Sequence, residues 1–352
     1  MKHIALLSLF FVSISFAGAP YNPREIDQTI SAREAQVKRD PNGAIGWAML
    51  GEAWLERARE SDLDDAAWKA EDAARRSLAL RAAGNSRAQQ LLVSSILEQH
   101  RFQDAHDLLA SWGVKTMLMV DVLIELGRYG EAKALLPTEV SMTDAAELSI
   151  RGRLALCLGE KNKAIELYQQ AWSAISGLEH LNDRTQAYFR IKLGEAYAAN
   201  GNMQEAKLHL KEGLRMHPRS YKASLGLAKL AAQKGEWKSV ITYAKKTLEI
   251  CGSMDAKALM GDAYTALKQP KKAKEWYADC LQSYRDEVSR FDELGKGGAF
   301  KVKPVDRQFA NFAWTHNMFL KDGLAAARRD HANRPDPHAQ LVLQSLEKKV
   351  AQ

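Results

Sequence analysis

Cysteine is scarce in this chain, with three in 352 residues and no CxxC or zinc-ribbon spacing. That excludes a disulfide-built scaffold and the common structural zinc sites. Nine prolines and 22 glycines are too few for collagen-like or low-complexity chain. Aromatic residues make up only 8%, beside 46% hydrophobic and 26% charged residues, the balance of an ordinary folded protein. After the first twenty residues no run of 18 apolar residues occurs, so no membrane-spanning helix is expected there. Catalytic signatures are missing too: there is no HExxH, GxSxG, GxxxxGK[ST] or CxxCH, and no GxGxxG after a strand. His331 and His338 flank the run NRPDP, but two histidines without a third ligand do not make a metal site. The expectation is a non-catalytic protein with no cofactor and no metal.

What is present begins with an address. The first residues read MKHIALLSLFFVSISFAGAP: a positive start at Lys2, an uncharged apolar stretch of about thirteen residues from Ile4 to Phe16, then small residues Ala17, Gly18 and Ala19. This is the three-part pattern of a secretory signal peptide. Cleavage after Ala19 would put Pro20 beside the scissile bond, so cleavage after Ala17 is favoured, giving a signal peptide over 1–17. The chain is therefore expected to be exported, to the periplasm or out of the cell. In such a compartment Cys251 and Cys280 are able to pair; otherwise all three cysteines serve as small buried hydrophobes.

Beyond residue 40 a repeat organises the chain. The clearest unit, AYFRIKLGEAYAANGNMQEAKLHLKEGLRMHP, starts at Ala187 and carries Leu193-Gly194, Tyr197, Gly201, Ala206, Leu210, Gly213 and Pro218. A shift of 34 residues finds Leu227-Ala228, Ala231, Gly235, Val240 and Ala244; a second finds Met260-Gly261, Tyr264, Lys268, Ala273 and Tyr277. Weaker copies include Trp47 to Trp54, His100 to Leu109, a short unit at Leu126 to Leu136, and Asn311 to Pro337. Small side chains at Gly194, Ala206 and Gly213 allow two helices to approach closely. Larger ones fill the gaps between pairs.

This pattern resembles the tetratricopeptide repeat (TPR), a 34-residue helix-turn-helix unit, in its exported bacterial form. The resemblance implies an all-α, right-handed α-solenoid of about 7–8 repeats with a C-terminal capping helix. Its parts are an N-terminal capping helix within 18–43, the array at 44–282, a loop insertion at 283–304, and a last TPR-like unit with the capping helix at 305–352. It also implies that the first helix of each pair lines a concave groove. Projected onto that wall are Glu52, Glu56, Gln90, Ser94, Glu98, Asp121 and Glu125 early on, and Gln308 late. The partner-binding groove is placed at Arg153, Lys192, Glu195, Lys222, Lys229, Phe312 and His316.

Charge follows the same division. Residues 51–150 hold 11 Lys+Arg against 17 Asp+Glu, and residues 151–352 hold 34 against 22. Either this polarity orients an extended partner, or it simply keeps a long surface soluble. Glu195, Lys229 and Asp262 stand where a chaperone-tail clamp needs asparagines, which argues against that adaptor role. Interspersed charge and the absence of a recognised module argue against nucleic acid. The expected partner is a protein or peptide, in envelope assembly, secretion or maturation. The alternatives are a polysaccharide-handling subunit of an export machinery and an accessory subunit of an enzyme. Partner identity and oligomeric state are not written in the sequence.

Overall fold

The computed structural model describes residues 24–60, 65–114, 116–176, 178, 181–294, 303 and 305–352, so the expected signal peptide lies outside the described residues. Helix α1 (Glu25–Arg39) leads into a series of helical hairpins. The first four are α2–α3 (Ala44–Glu60, Ala66–Leu80), α4–α5 (Ser86–Glu98, Phe102–Ser111), α6–α7 (Met117–Glu125, Tyr129–Leu135) and α8–α9 (Ala145–Cys157, Lys161–Ile175). The next four are α10–α11 (Asp183–Ala199, Met203–Met216), α12–α13 (Tyr221–Gln233, Trp237–Leu248), α14–α15 (Met254–Ala266, Pro270–Leu294) and α16–α17 (Asp306–His316, Leu320–Asn333). Helix α18 (Pro337–Val350) packs on the last pair. Each helix packs on its successor, and first helices of neighbouring hairpins also touch, as α10 does α12 and α12 does α14. The result is the all-α solenoid that the repeat spacing predicts.

One local device sets the turn inside six of the hairpins, α4–α5 to α14–α15. The residue after the first helix takes a left-handed backbone at His100, Gly127, Gly159, Gly201, Gly235 and Lys268, with φ between +57° and +86°. The next amide then reaches back five residues, as Asn202 N–H does to the Tyr197 carbonyl at 2.9 Å and Gln269 N–H to that of Tyr264 at 2.8 Å. This satisfies carbonyls that the helix end leaves open and reverses the chain. Between hairpins, side-chain caps restart the helices: Asn85, Asp144, Asn182, Ser220, Ser253 and Asp336 each accept from an amide in the following first turn.

Close helix approach depends on glycine where the repeat places it. A Cβ at Gly194 would sit 2.9 Å from Leu210 Cγ, and one at Gly261 only 2.2 Å from Tyr277 Cε1. Tyr277 thus lies directly on the α14 backbone.

The expected loop insertion at 283–304 is helical over its first half. Residues 283–294 complete α15, a helix of 25 residues. Tyr277, Tyr284 and Phe291 recur at seven-residue spacing along it, and Tyr284 stacks on Phe309 of α16 at 3.9 Å between ring centres. That apolar stripe continues past residue 282, so the helix does as well. Cys251 and Cys280 are buried and unbonded to each other, whereas Cys157 is exposed. The reading of all three as buried hydrophobes therefore fails at Cys157, which ends α8 at a turn.

Candidate functional site

The first helices of neighbouring hairpins contact one another, and a few side chains also join hairpins far apart along the chain. Arg184, in the first turn of α10, donates to Glu56 and, at 2.8 Å, to Glu60, both on α2. The two helices are joined across more than 120 residues of chain. His217, at the end of α11, places Nε2 3.6 Å from the same Glu60 carboxylate. A second closure involves Arg334, in the α17–α18 connection. Its guanidinium lies 5.0 Å from the Phe102 ring centre and 3.9 Å from Glu125 of α6. Asp336 follows, so near Gly127 that a Cβ there would stand 2.7 Å from its own. Arg307 of α16 holds this connection, donating to Asp330 at 3.0 Å and to Asp336.

The predicted groove residues sort clearly. Arg153 is ion-paired with Asp121 and, at 2.7 Å, with Glu125, and its side chain is 28% exposed. Burial lowers its pKa, although the group stays cationic. Lys192 donates to Glu195 at 2.8 Å. Burial works to lower its pKa, but Glu195 with Tyr188 and Tyr168 prevails and raises it. Lys222 is exposed at the start of α12, and its charge acts on Glu98 and His100 of the second hairpin. Lys229 is half-exposed and pairs with Asp255 at 2.6 Å. On the early wall, Glu52 is paired with Arg87, and Glu98 with Arg59 at 3.0 Å.

Two assignments are corrected or refined. Phe312 is not on the groove surface: it is 5% exposed and packs among Phe309, Tyr277, Phe319 and His316. Its helix turns that face onto α15 and α17, a placement that a count along one helix does not reveal. His316 is half-buried beside it. Nε2 meets Asp262 at 2.8 Å and Nδ1 meets the Phe312 carbonyl at 3.0 Å, so it ties α16 to α14. Both ring nitrogens face acceptors. Burial opposes protonation, yet the Asp262 carboxylate prevails and raises the pKa.

Residues that sequence reasoning misses are those at helix ends and connections: Arg184, His217, Arg334 and Asp336. His100 belongs with them. It takes the left-handed turn place where most repeats have glycine, and its Nδ1 finds no hydrogen-bond partner among the described residues. Burial, and next the Arg334 charge, push its pKa down to about 4. The run NRPDP is a signal, because two prolines around Asp336 mark a stiff connection.

No group of three or more metal-binding side chains occurs among the described residues, and His338 instead bonds Asn311 at 2.8 Å. No described helix is long and apolar enough to cross a membrane.

Repeated antiparallel hairpins around a charged inner wall define a TPR-type α-solenoid, a class that points to protein–protein interaction scaffolds. The tetratricopeptide repeat family matches residues 255–287, which span α14 and much of α15. No curated protein matches the chain. Among solved structures, the APC/C hetero-tetramer Cut9-Hcn1 is similar at 18% identity and TM-score 0.51, covering 71% of this chain and 46% of that one. MamA is similar at 20% identity and TM-score 0.38, covering 52% of this chain and 96% of that one. A thermophilic TPR protein of Thermus thermophilus stands at 18% identity and TM-score 0.38, covering 54% of this chain and 94% of that one. The Cut9-Hcn1 likeness shows the fold.

Proposed function

We propose that this chain is a non-catalytic, exported scaffold that holds an extended segment of a partner protein inside its coil, in envelope assembly, secretion or maturation. The observation that carries the reading is the inner wall. Glu98, Glu125, Arg153 and Lys192 lie deep in the molecule, yet Arg153 is 28% exposed and Glu125 30%. Such side chains are hemmed in by protein yet partly accessible, and they carry both charge signs. A strand of polypeptide offers matching amides, carbonyls and charges. The signal-peptide pattern at 1–17 supports export. Phe312, the one aromatic that favoured a polysaccharide ligand, is buried in the core.

The test is recovery of partner from the native envelope with tagged mature chain as bait. Lys222→Glu reverses an exposed charge whose ammonium lies 5.6 Å from the ring centre of its neighbour Tyr221. The variant should recover a partner at least tenfold less well at equal folded content. Unchanged recovery would move the interface off the inner wall.

A further inference from the structure

The densest positive charge of the chain lies only partly on the inner wall. Residues 211–274 contain 14 Lys+Arg and 5 Asp+Glu, a surplus larger than the net +7 of the whole chain. Six exposed lysines of this stretch, Lys234, Lys238, Lys268, Lys271, Lys272 and Lys274, stand in the inner turns of the α12–α13 and α14–α15 hairpins or just after them. These turns belong to one edge of the solenoid. Asn200 bonds Asn162 at 3.1 Å between successive turns, Lys207 meets Glu236 at 3.5 Å, and Met318 brings in the turn of the last hairpin.

A pocket of about 510 Å³ opens on this edge. Pro270, Ala273, Tyr277 and Met318 give it an apolar lining, and the exposed Lys268 and Lys274 stand beside them. Its main wall is held before any ligand arrives. The Tyr277 ring lies against Gly261, its hydroxyl donates to Asp262 at 2.8 Å, and Phe312 and His316 pack within 6 Å of its centre. Such a surface costs little to order on binding.

A second, independent observation concerns Lys268. It occupies the left-handed turn place with φ +58°, where the equivalent residues of the four preceding hairpins, Gly127, Gly159, Gly201 and Gly235, are all glycine. A lysine there is strained where glycine is not. His100 holds the same place in the second hairpin, so the fold tolerates the strain, and at Lys268 the side chain it carries lines the pocket.

We propose that this edge docks an acidic segment of a partner protein, with one apolar side chain seated against Tyr277 and flanking carboxylates on Lys268 and Lys274. The reading goes beyond the interior site and does not rest on it. A flat anionic bilayer would meet the lysines but has nothing to place in the pocket. Nucleic acid recognition by bidentate phosphate contacts favours arginine, and these six are lysines.

The probes are three fluorescein-labelled dodecapeptides of Asp, Glu and Gly with Leu, Phe or Ser at the centre, read by anisotropy against the full mature chain. Vesicles of phosphatidylcholine with phosphatidylserine, and a short single-stranded DNA, serve as other polyanions. The proposal expects the Leu or Phe peptide to bind at least fivefold more tightly than the Ser peptide. Lys268→Glu with Lys274→Glu should weaken it tenfold or more, whereas Lys245→Glu with Lys246→Glu, an equal charge change at the far end of α13, should weaken it less than threefold. Lys268→Gly should also weaken binding while leaving the Tm unchanged or higher, which separates binding from folding. Equal weakening by both lysine pairs, no preference for an apolar centre, or binding to vesicles or DNA in place of the peptides would each overturn it. Lys222→Glu should not affect this binding, so a failure of the interior reading is told apart from a failure here.

Discussion

Removal of the Arg184 guanidinium tests whether contacts between distant repeats hold the coil. Its fork reaches Glu56 and Glu60 from four hairpins away, and the Glu60 side chain is only 6% exposed. At 2.8 Å and an effective dielectric near 20, one such pair has about 6 kcal/mol of gross attraction. Desolvation and side-chain ordering offset most of it. Removing one partner of a fully buried pair costs about 3–5 kcal/mol, and the 26% exposure of Arg184 lowers that to about 2–3 kcal/mol. Arg184→Ala leaves the Glu60 carboxylate buried, with His217 3.6 Å away. A solenoid with nearest-neighbour contacts alone would lose stability only in one repeat and keep its shape. A coil closed by Arg184 would lose about 2–3 kcal/mol in urea unfolding, unfold less cooperatively, and expand in small-angle X-ray scattering. Arg184→Lys should restore only part, because one ammonium cannot bridge two carboxylates as the fork does. A variant with unchanged urea midpoint and unchanged radius of gyration would refute the closure.

Phe312→Ala should cost about 3–5 kcal/mol by thermal or urea unfolding, the loss for a core phenylalanine; a cost under about 1 kcal/mol would return it to the surface. Gly261→Ala should cost about 1–3 kcal/mol, because its Cβ would meet the Tyr277 ring at 2.2 Å, whereas an unchanged Tm would contradict the close packing of α14 and α15. His316 has a folded pKa raised above the ordinary value near 6.5. The protonated form is therefore stabilised by folding, fully so below about pH 6.5, and the contribution is lost as pH rises through the raised value. The Tm difference between the native chain and His316→Gln should shrink from pH 6 to pH 8.5; a constant difference would remove the Asp262 ion pair. His100 behaves in the opposite sense. With its folded pKa near 4 and an unfolded value near 6.5, it costs stability as pH falls between them, so His100→Asn should flatten the Tm decline from pH 6.5 to pH 4.

How much of this is legible in the sequence depends on the range of the interaction. The hairpins follow from local signals: the 34-residue spacing, glycine at the turns, and Ser, Asn or Asp at the caps. The end of the array is misplaced at 283–294 because the stripe Tyr277, Tyr284 and Phe291 lies outside the repeat signature, although it has ordinary helical spacing. Projecting the inner wall one helix at a time puts Arg153, Lys192 and Lys222 on first helices of hairpins, which the local repeat signal suffices to do. The method fails for Phe312, whose face is decided by α15 and α17. It is blind to Arg184, His217 and Arg334, since their partners come from hairpins far along the chain and no spacing rule relates them. Charge polarity is visible, with acid early and base late. Some of it is used internally, by Arg184 on Glu60 and Arg334 on Glu125.

The central claim is that the inner wall holds a partner segment. The direct measurement replaces Lys222, assigned to that wall, with a photo-crosslinking amino acid in the full chain, and does the same at Leu208, an exposed residue of a second helix. The account predicts a single dominant crosslinked protein from position 222 and none from 208, mapped to an extended segment of that protein. Crosslinks from 208 with none from 222 would contradict it.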